Sequence, residues 1–265
     1  MKAKTAFKYI YGPVFSWRLG SSLGIDPVSK GRKVCSFDCV YCQVGKAGLF
    51  SNERRKFIET SQIVSELDML PALKIDYITF SGAGEPTLAE NLGELIQTVK
   101  LIRKEPIAVI TNGSLINSDE VIEELVLADL AVVKLDAYSP ESLKEINRPV
   151  KGLEFGSILS GIKNFRKSYM GKLALQVMFI KNNKQNISEY AYLANCISPD
   201  EIQINTPLRH CNVKPLAKEE IFRIKDYLVS ACKGINILSV YDEKELKSIS
   251  PISDEDTLKR RGKIK

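Results

Sequence analysis

The chain has 265 residues, a formal net charge of +6 and a hydrophobic fraction of 44%. This length and composition allow one sizeable core and exclude an intrinsically disordered protein. No run of about 18 apolar residues occurs, and the opening residues lack an apolar stretch of signal-peptide length, so we predict a cytoplasmic protein without a membrane span. The six cysteines are then expected to be thiols or metal ligands rather than disulfides.

Short apolar runs alternate along the chain with longer segments of helical period, after an opening that reads as rich in loops. Thr60 and Ser118 are the predicted caps of two helices. The run 235–240 is expected either to flank the sheet or to open a small carboxyl-terminal piece. The predicted strands are 22–26, 75–81, 107–111, 130–135, 173–180 and 201–205. The predicted helices are 60–70, 92–104, 118–128, 156–168, 187–195 and 218–232.

Six such βα repeats predict an α/β fold in which a parallel sheet curls into a partial (βα)6 barrel. We expect one domain over 1–240 and a charged, partly disordered tail over 241–265. Ligand-binding groups of parallel sheets gather beyond the carboxyl ends of the strands. The segments that follow predicted strands are CSFDCVYC, SGAGEPTL, TNGS, LDAYSP and NTPLRHC.

The segment CSFDCVYC places Cys35, Cys39 and Cys42 at C-x3-C-x2-C spacing. Such a loop can offer three thiolates to a cubane cluster, which leaves the fourth iron without a protein ligand. A zinc site or an electron-transfer cluster would need a fourth ligand, and His210 and the remaining cysteines lie far downstream. A thioredoxin-type pair is disfavoured because the loop holds a third cysteine. The spacing therefore favours an open iron-sulfur site.

These motifs carry a family resemblance. The cysteine loop, with Tyr41 before its last cysteine, and SGAGEPTL after the second strand resemble the signature of radical S-adenosylmethionine (radical SAM) enzymes over most of the chain. Together with YGPVFSWRLGSSLGID, TNGS, KLDAYSP and INRP, they resemble a subgroup of iron-sulfur oxidoreductases grouped with the tRNA wyosine-base synthases. Residues 1–34 lack the extra cysteines expected of wyosine-type synthases, so the wyosine reaction itself is not expected here.

The resemblance implies two cofactors. Cys35, Cys39 and Cys42 would hold a [4Fe-4S] cluster, and S-adenosylmethionine (SAM) would occupy the open iron. Reduction of SAM would yield methionine and a 5'-deoxyadenosyl radical that abstracts hydrogen from substrate. The implied electron donor is of the flavodoxin or ferredoxin type, and the implied conditions are reducing and anaerobic.

The resemblance also implies cofactor-binding residues. Tyr41 would pack near the adenine, or shield the cluster. Main-chain groups at Gly82 and Gly84 would bond the SAM ammonium, with negative charge from Glu85, although a GxG segment alone indicates only a tight turn. Asp136 would accept from ribose hydroxyls.

Other polar residues near the same strand ends have open roles. Asn112 would bond cofactor or substrate, or serve as a turn residue. Lys134 shares a strand face with Asp136, and the two could instead form a structural pair. Gln176 is expected either inside the barrel or on its exterior. Cys211 could be a second-cluster ligand, a hydrogen-atom donor or an inert small residue. Cys196 and Cys232, on predicted helices, are expected in the core. The candidates for catalysis or substrate binding are Lys134, Gln176, Asn205, Arg209 and Cys211.

The substrate is predicted least well. The subgroup resemblance and the net charge of +6 favour a nucleobase in RNA, which is the leading expectation. The alternatives are a residue of a partner protein and a small metabolite. A further alternative of another class is an iron-sulfur or zinc module that binds nucleic acid without catalysis. The oligomeric state is not predicted.

Overall fold

The computed structural model describes residues 7–28, 31–242 and 251–261. Its main sheet has eight strands in the order β1-β2-β5-β6-β7-β8-β9-β10 and curls into a partial barrel. Two short strands, β3 and β4, pair separately. The strands are β1 (Ile10–Ser16), β2 (Gly20–Ile25), β3 (Val34–Cys35), β4 (Leu49–Phe50), β5 (Tyr77–Phe80), β6 (Ile107–Thr111), β7 (Leu130–Lys134), β8 (Lys172–Met178), β9 (Glu201–Asn205) and β10 (Asn236–Ser239).

Helices follow the parallel strands and pack outside the sheet. A 3₁₀ turn over Pro86–Leu88 and a π turn over Leu143–Asn147 lie in two of the connections. The six predicted βα units are therefore confirmed, and β10 flanks the sheet by pairing with β9. The helices are α1 (Thr60–Asp68), α2 (Leu92–Ile102), α3 (Asp119–Leu125), α4 (Pro140–Ser142), α5 (Phe155–Ser168), α6 (Ile187–Ile197), α7 (Lys218–Ala231) and α8 (Asp254–Arg261).

The opening of the chain differs from its predicted loop. Residues of β1 form an antiparallel edge against β2, with a register shift between Tyr11 and Val14. Gly24 lies inside β2, within the predicted strand 22–26, and a Cβ atom there would stand 2.1 Å from the ring of Tyr11. The glycine thus makes room for an aromatic ring on the neighbouring strand, and local sequence does not reveal that.

Two helix-related predictions were wrong in detail. The cap of α1 is Glu59 rather than Thr60, because the backbone N–H of Glu59 donates to the side chain of Gln62 at 3.1 Å. Ser118 occupies the predicted cap of α3. Cys196, expected in the core, is exposed on α6, whereas Cys232 is buried as expected.

The amino end of the barrel is filled by apolar side chains. Ala108, Leu130, Val132 and Ala174 are buried there with Leu19, which follows β1. Because this cluster closes the amino end, open space remains toward the carboxyl ends of the strands. None of the helices within the described residues is long and apolar enough to cross a membrane.

The carboxyl-terminal helix α8 packs on β1. The N–H of Ile252 donates to the carbonyl of Gly12 at 2.6 Å, and the N–H of Gly12 donates to Oγ1 of Thr257 at 3.1 Å. Arg260 lies 3.4 Å from the carboxylate of Asp26, at the end of β2. The expected charged tail thus includes a packed helix, while residues 243–250 and 262–265 of it lie outside the described residues.

Candidate functional site

A cavity of about 510 Å³ lies inside the partial barrel, and all three cysteines of the 35–42 loop line it. Other predicted site residues reach the same cavity from the ends of five further strands. They are Gly82, Gly84, Glu85, Asn112, Lys134, Gln176, Asn205 and Arg209, and Tyr41 lines the cavity from the cysteine loop itself. Asp136 and Cys211 do not line the cavity, but Asp136 is bonded to Tyr41 and Lys134, which do, and Cys211 packs in a cluster with Tyr41.

The cysteine loop is attached to the glycine segment by backbone hydrogen bonds. The N–H of Val34 donates to the carbonyl of Ala83 at 3.1 Å, and the N–H of Glu85 donates to the carbonyl of Val34 at 2.9 Å. A Cβ atom at Gly84 would stand 1.9 Å from that carbonyl oxygen, so only glycine allows this approach. The two motifs that the sequence places 40 residues apart therefore form one rigid unit.

The three thiols differ in exposure. Cys35 is buried, and burial raises the pKa of its thiol to about 12, whereas Cys39 and Cys42 are half-buried on the cavity wall. Amide side chains contact two of them: Nδ2 of Asn112 lies 3.6 Å from Sγ of Cys35, and Nδ2 of Asn147 lies 3.4 Å from Sγ of Cys39. Such N–H groups would stabilise negative charge on sulfur.

This donor set fits an iron-sulfur cluster. Within residues 7–28, 31–242 and 251–261, no group of three or more His, Cys, Asp or Glu side chains is arranged to hold a metal ion. The three thiols instead lie around one cavity, and a cubane presents separate irons to separate ligands. Lys33, which is 7% exposed, also lines the cavity and brings positive charge beside the cysteines.

Tyr41 joins the cysteine loop to the end of β7. Its hydroxyl donates to Oδ2 of Asp136 and accepts from Nζ of Lys134 at 3.2 Å. Lys134 also pairs with Asp136 at 3.0 Å, and the N–H of Met178 donates to Oδ1 of Asp136 at 2.7 Å. The structural pairing of Lys134 with Asp136 is therefore present, and burial raises the pKa of the Tyr41 phenol well above its ordinary value.

Glu85 is 2% exposed, and its side chain is held by hydrogen bonds from the end of β6. Its carboxylate accepts from Oγ1 of Thr111 at 2.5 Å, from the N–H of Asn112 at 2.6 Å, and from both the N–H and the hydroxyl of Thr87. Burial raises the pKa of this carboxyl against the opposing effect of those donors. Glu85 thus fixes the turn that carries Asn112 beside Cys35.

Three other candidates have clear positions. Gln176 is buried and faces the cavity, which decides between its two expected orientations. Asn205 lines the cavity at the end of β9. Sγ of Cys211 contacts the carbonyl of Val213 at 3.2 Å, and Cys211 packs against a buried cluster that includes Tyr41 and Met178.

Sequence reasoning missed several charged residues of the site. Asp26 is fully buried at the end of β2, where its carboxylate accepts from the N–H of Ala83 at 3.1 Å; its place as the last residue of the predicted strand 22–26 was a usable signal. Arg18, Arg260 and Arg261 also line the cavity. They come from a turn and from the carboxyl-terminal helix. Arg18 lies within the segment YGPVFSWRLGSSLGID, but no role was assigned to it from the sequence.

Comparison with known proteins gives a family. The family model described as the radical SAM superfamily matches residues 32–193. The chain is 44% identical over 216 residues to a UPF0026 protein of Synechocystis sp., which covers 81% of this chain and 80% of that protein. It is 38% identical over 224 residues to a UPF0026 protein of Methanocaldococcus jannaschii, covering 81% and 69%. It is also 35% identical to a Brachyspira hyodysenteriae protein named GTPase Obg, over 97% of this chain and 39% of that protein.

Solved structures share the fold. Streptococcus suis SuiB bound to S-adenosylmethionine superposes with a TM-score of 0.62 at 16% identity, over 82% of this chain and 52% of that chain. Archaeal TYW1 superposes with a TM-score of 0.55 at 19% identity, over 79% and 72%. At these identities the likeness shows the partial barrel. Because the family model spans more than half of the chain and UPF0026 relatives align over four fifths of it, this chain belongs to the UPF0026 proteins of the radical SAM superfamily.

Proposed function

We propose that this chain cleaves SAM reductively in its central cavity and uses the product radical to abstract hydrogen from a substrate bound there. Members of the superfamily are enzymes that use SAM and a [4Fe-4S] cluster, so both are cofactors of this chain. The observation that carries the proposal is that Cys35, Cys39 and Cys42 line the same cavity as the Gly82 to Glu85 segment.

Cys35, Cys39 and Cys42 would hold the cluster, which supplies the electron for cleavage of the sulfonium when it is bound. Asn112 and Asn147 would then stabilise the charge on two of the thiolates through their amide N–H groups. These amides are themselves held, since Nδ2 of Asn112 also donates to Oγ of Ser36 at 3.0 Å and Nδ2 of Asn147 donates to Oδ2 of Asp136 at 3.4 Å. The chain thus presets the ligand loop before any cofactor binds.

The chain would bind SAM in the cavity that the cysteine loop and the glycine segment both line. Main-chain groups at Gly82 and Gly84 would bind the ammonium group of SAM, since both glycines line the cavity. The ring of Tyr41 is held by Asp136 and Lys134 on the same wall, which suits it to pack against adenine. Because Asp136 already accepts from three side chains and one backbone N–H, a ribose hydroxyl would have to compete with these donors.

The substrate is the least determined part of the proposal. A cavity of about 510 Å³ has the size of a small-molecule site, so the group that reacts would be a small molecule or one nucleobase turned out of an RNA strand. A peptide side chain is the remaining alternative. We expect an electron donor of the flavodoxin or ferredoxin type and a reducing, cytoplasmic setting.

Anaerobic reconstitution of the full chain tests this proposal. We expect about four irons per chain, and equal amounts of methionine and 5'-deoxyadenosine when SAM and a strong reductant are added. Zinc in the purified protein, together with intact SAM after reduction, would contradict the proposal. It would favour the non-catalytic module that the sequence left open.

A further inference from the structure

Arginines from three distant parts of the chain form one wall of the cavity. Arg18 lies in the turn between β1 and β2, Arg209 lies in the loop after β9, and Arg260 and Arg261 end helix α8. One guanidinium N–H of Arg209 donates to the carbonyl of Arg261, which ties the loop to the helix. We refer to these four residues as the arginine wall.

The cavity is strongly positive. Its lining within the described residues holds six basic side chains and one acidic side chain, Glu85. Three of the basic side chains have partners: Lys134 pairs with Asp136, Arg260 lies 3.4 Å from Asp26, and Lys33 donates to a backbone carbonyl at 3.0 Å. The other three are Arg18, Arg209 and Arg261.

Arg18, Arg209 and Arg261 form no ion pair with a carboxylate in the part of the chain that the structure describes. The guanidinium of Arg18 lies 5.4 Å from the centre of the Trp17 ring, and its buried Nε has no hydrogen-bond partner. Burial lowers the pKa of Arg18 to about 10, and repulsion from Arg209 and Arg261 adds to that effect. All three remain charged near neutral pH.

Buried charges of one sign destabilise a fold unless an opposite charge neutralises them. Arginine is suited to phosphate because its planar guanidinium donates two parallel hydrogen bonds to neighbouring oxygens. The charge of three guanidinium groups is matched better by a phosphate dianion than by a single carboxylate ligand. A polymer fits this place poorly, because the cavity is small and α8 packs along its side.

We propose that Arg18, Arg209 and Arg261 form a subsite for the phosphate group of a small phosphorylated substrate. The inference deepens the proposed function by naming the substrate class. Arg209 also lies beside the cysteine loop, since Nε2 of Gln43, the residue after Cys42, donates to its backbone carbonyl at 3.5 Å. The phosphate would therefore be held in the same cavity that the cysteines line.

Calorimetric titration of the anaerobically reconstituted full chain with inorganic phosphate and pyrophosphate tests the subsite. The titration is done without reductant, so its result does not depend on SAM cleavage. We expect saturable binding that sulfate competes for and that chloride at equal ionic strength does not. Arg18→Gln and Arg209→Gln should each weaken phosphate binding at least about tenfold, and Arg18→Lys should weaken it less, because each substitution removes charge-assisted hydrogen bonds.

Arg223→Gln is the matched control, since Arg223 is exposed on α7 and does not line the cavity. It should bind phosphate like the wild type. Equal phosphate affinity in the wild type, Arg18→Gln and Arg209→Gln would overturn the inference, as would a wild type that binds neither phosphate nor pyrophosphate. So would arginine-dependent binding of a single-stranded RNA 12-mer alone. Thermal unfolding checks that each variant folds. If Arg18→Gln does not fold, the phosphate affinity of Arg209→Gln tests the inference.

Discussion

The cysteine loop and the arginine wall face the same cavity but are assembled differently. Three cysteines lie within eight consecutive residues, and Val34, directly before them, is hydrogen-bonded to Ala83 and Glu85. The arginines are brought together from positions 18, 209, 260 and 261 by the curl of the sheet and by α8. The first region satisfies its polar groups within the protein, whereas the second leaves like charges facing one another. On our proposals, the first region is a preformed cofactor site and the second is a subsite for a phosphate group.

Removal of one cysteine should have the largest effect. Cys39→Ala should abolish both iron binding and SAM cleavage, because two thiolates do not replace three around the cluster. Iron per chain and 5'-deoxyadenosine after reduction are the measurements. Cys196→Ala, which changes an exposed cysteine on α6, is the control and should retain both. Retained cleavage in Cys39→Ala would refute the assigned ligand set.

The junction between the cysteine loop and the glycine segment should be nearly as sensitive. Gly84→Ala would place a Cβ atom 1.9 Å from the carbonyl oxygen of Val34, and backbone cannot rotate away as a side chain can. We expect a loss of about 3 kcal/mol or more in the free energy of unfolding, measured by denaturant titration.

Gly156→Ala provides the control for that substitution. No atom lies within 4 Å of the added Cβ, and Gly156 is inside α5, so alanine should stabilise the protein slightly through its helix propensity. Similar stability in the two variants would contradict the rigid junction.

Tyr41→Phe tests whether the cysteine end depends on satisfied polar groups. It removes the hydroxyl that donates to Asp136 and accepts from Lys134 and Asn147, all in a buried network. We expect a loss of about 1 to 3 kcal/mol in unfolding free energy. Tyr9→Phe, whose hydroxyl accepts an exposed bond from Gln62, should change stability by about 0.5 kcal/mol or less. Equal losses of unfolding free energy in the two variants would mean that the buried network around Tyr41 stabilises the fold no more than an exposed hydrogen bond does.

Arg18→Met should have a smaller effect of the opposite sign. It removes a buried charge that Arg209 and Arg261 repel, and leaves an apolar side chain of similar length. We expect a gain of about 1 kcal/mol in unfolding free energy, seen as a higher midpoint in thermal unfolding. A loss as large as that of Tyr41→Phe would show that the arginine wall stabilises the fold rather than awaiting a ligand.

The contrast also explains what the sequence could predict. Cys35, Cys39 and Cys42 could be assigned because iron-sulfur ligands on one loop have a fixed spacing, and the six βα units followed from alternating apolar and helical segments. Arg209 was noticed only because it follows a strand. Arg18 and Arg261 could not be found, because their proximity depends on the curl of the sheet and on a helix more than 200 residues away. Strand β1 was missed because Gly12 and Pro13 indicate a loop, whereas the structure places both within the strand.

The most direct measurement of the central claim is the electron paramagnetic resonance spectrum of the reduced, reconstituted chain before and after SAM is added. Three cysteines of one loop would leave an iron open to SAM, so the account predicts a signal of a reduced [4Fe-4S] cluster that changes when SAM binds. A spectrum that is identical with and without SAM would contradict an open site. The absence of any cluster signal from a chain loaded with iron would contradict the ligand set itself.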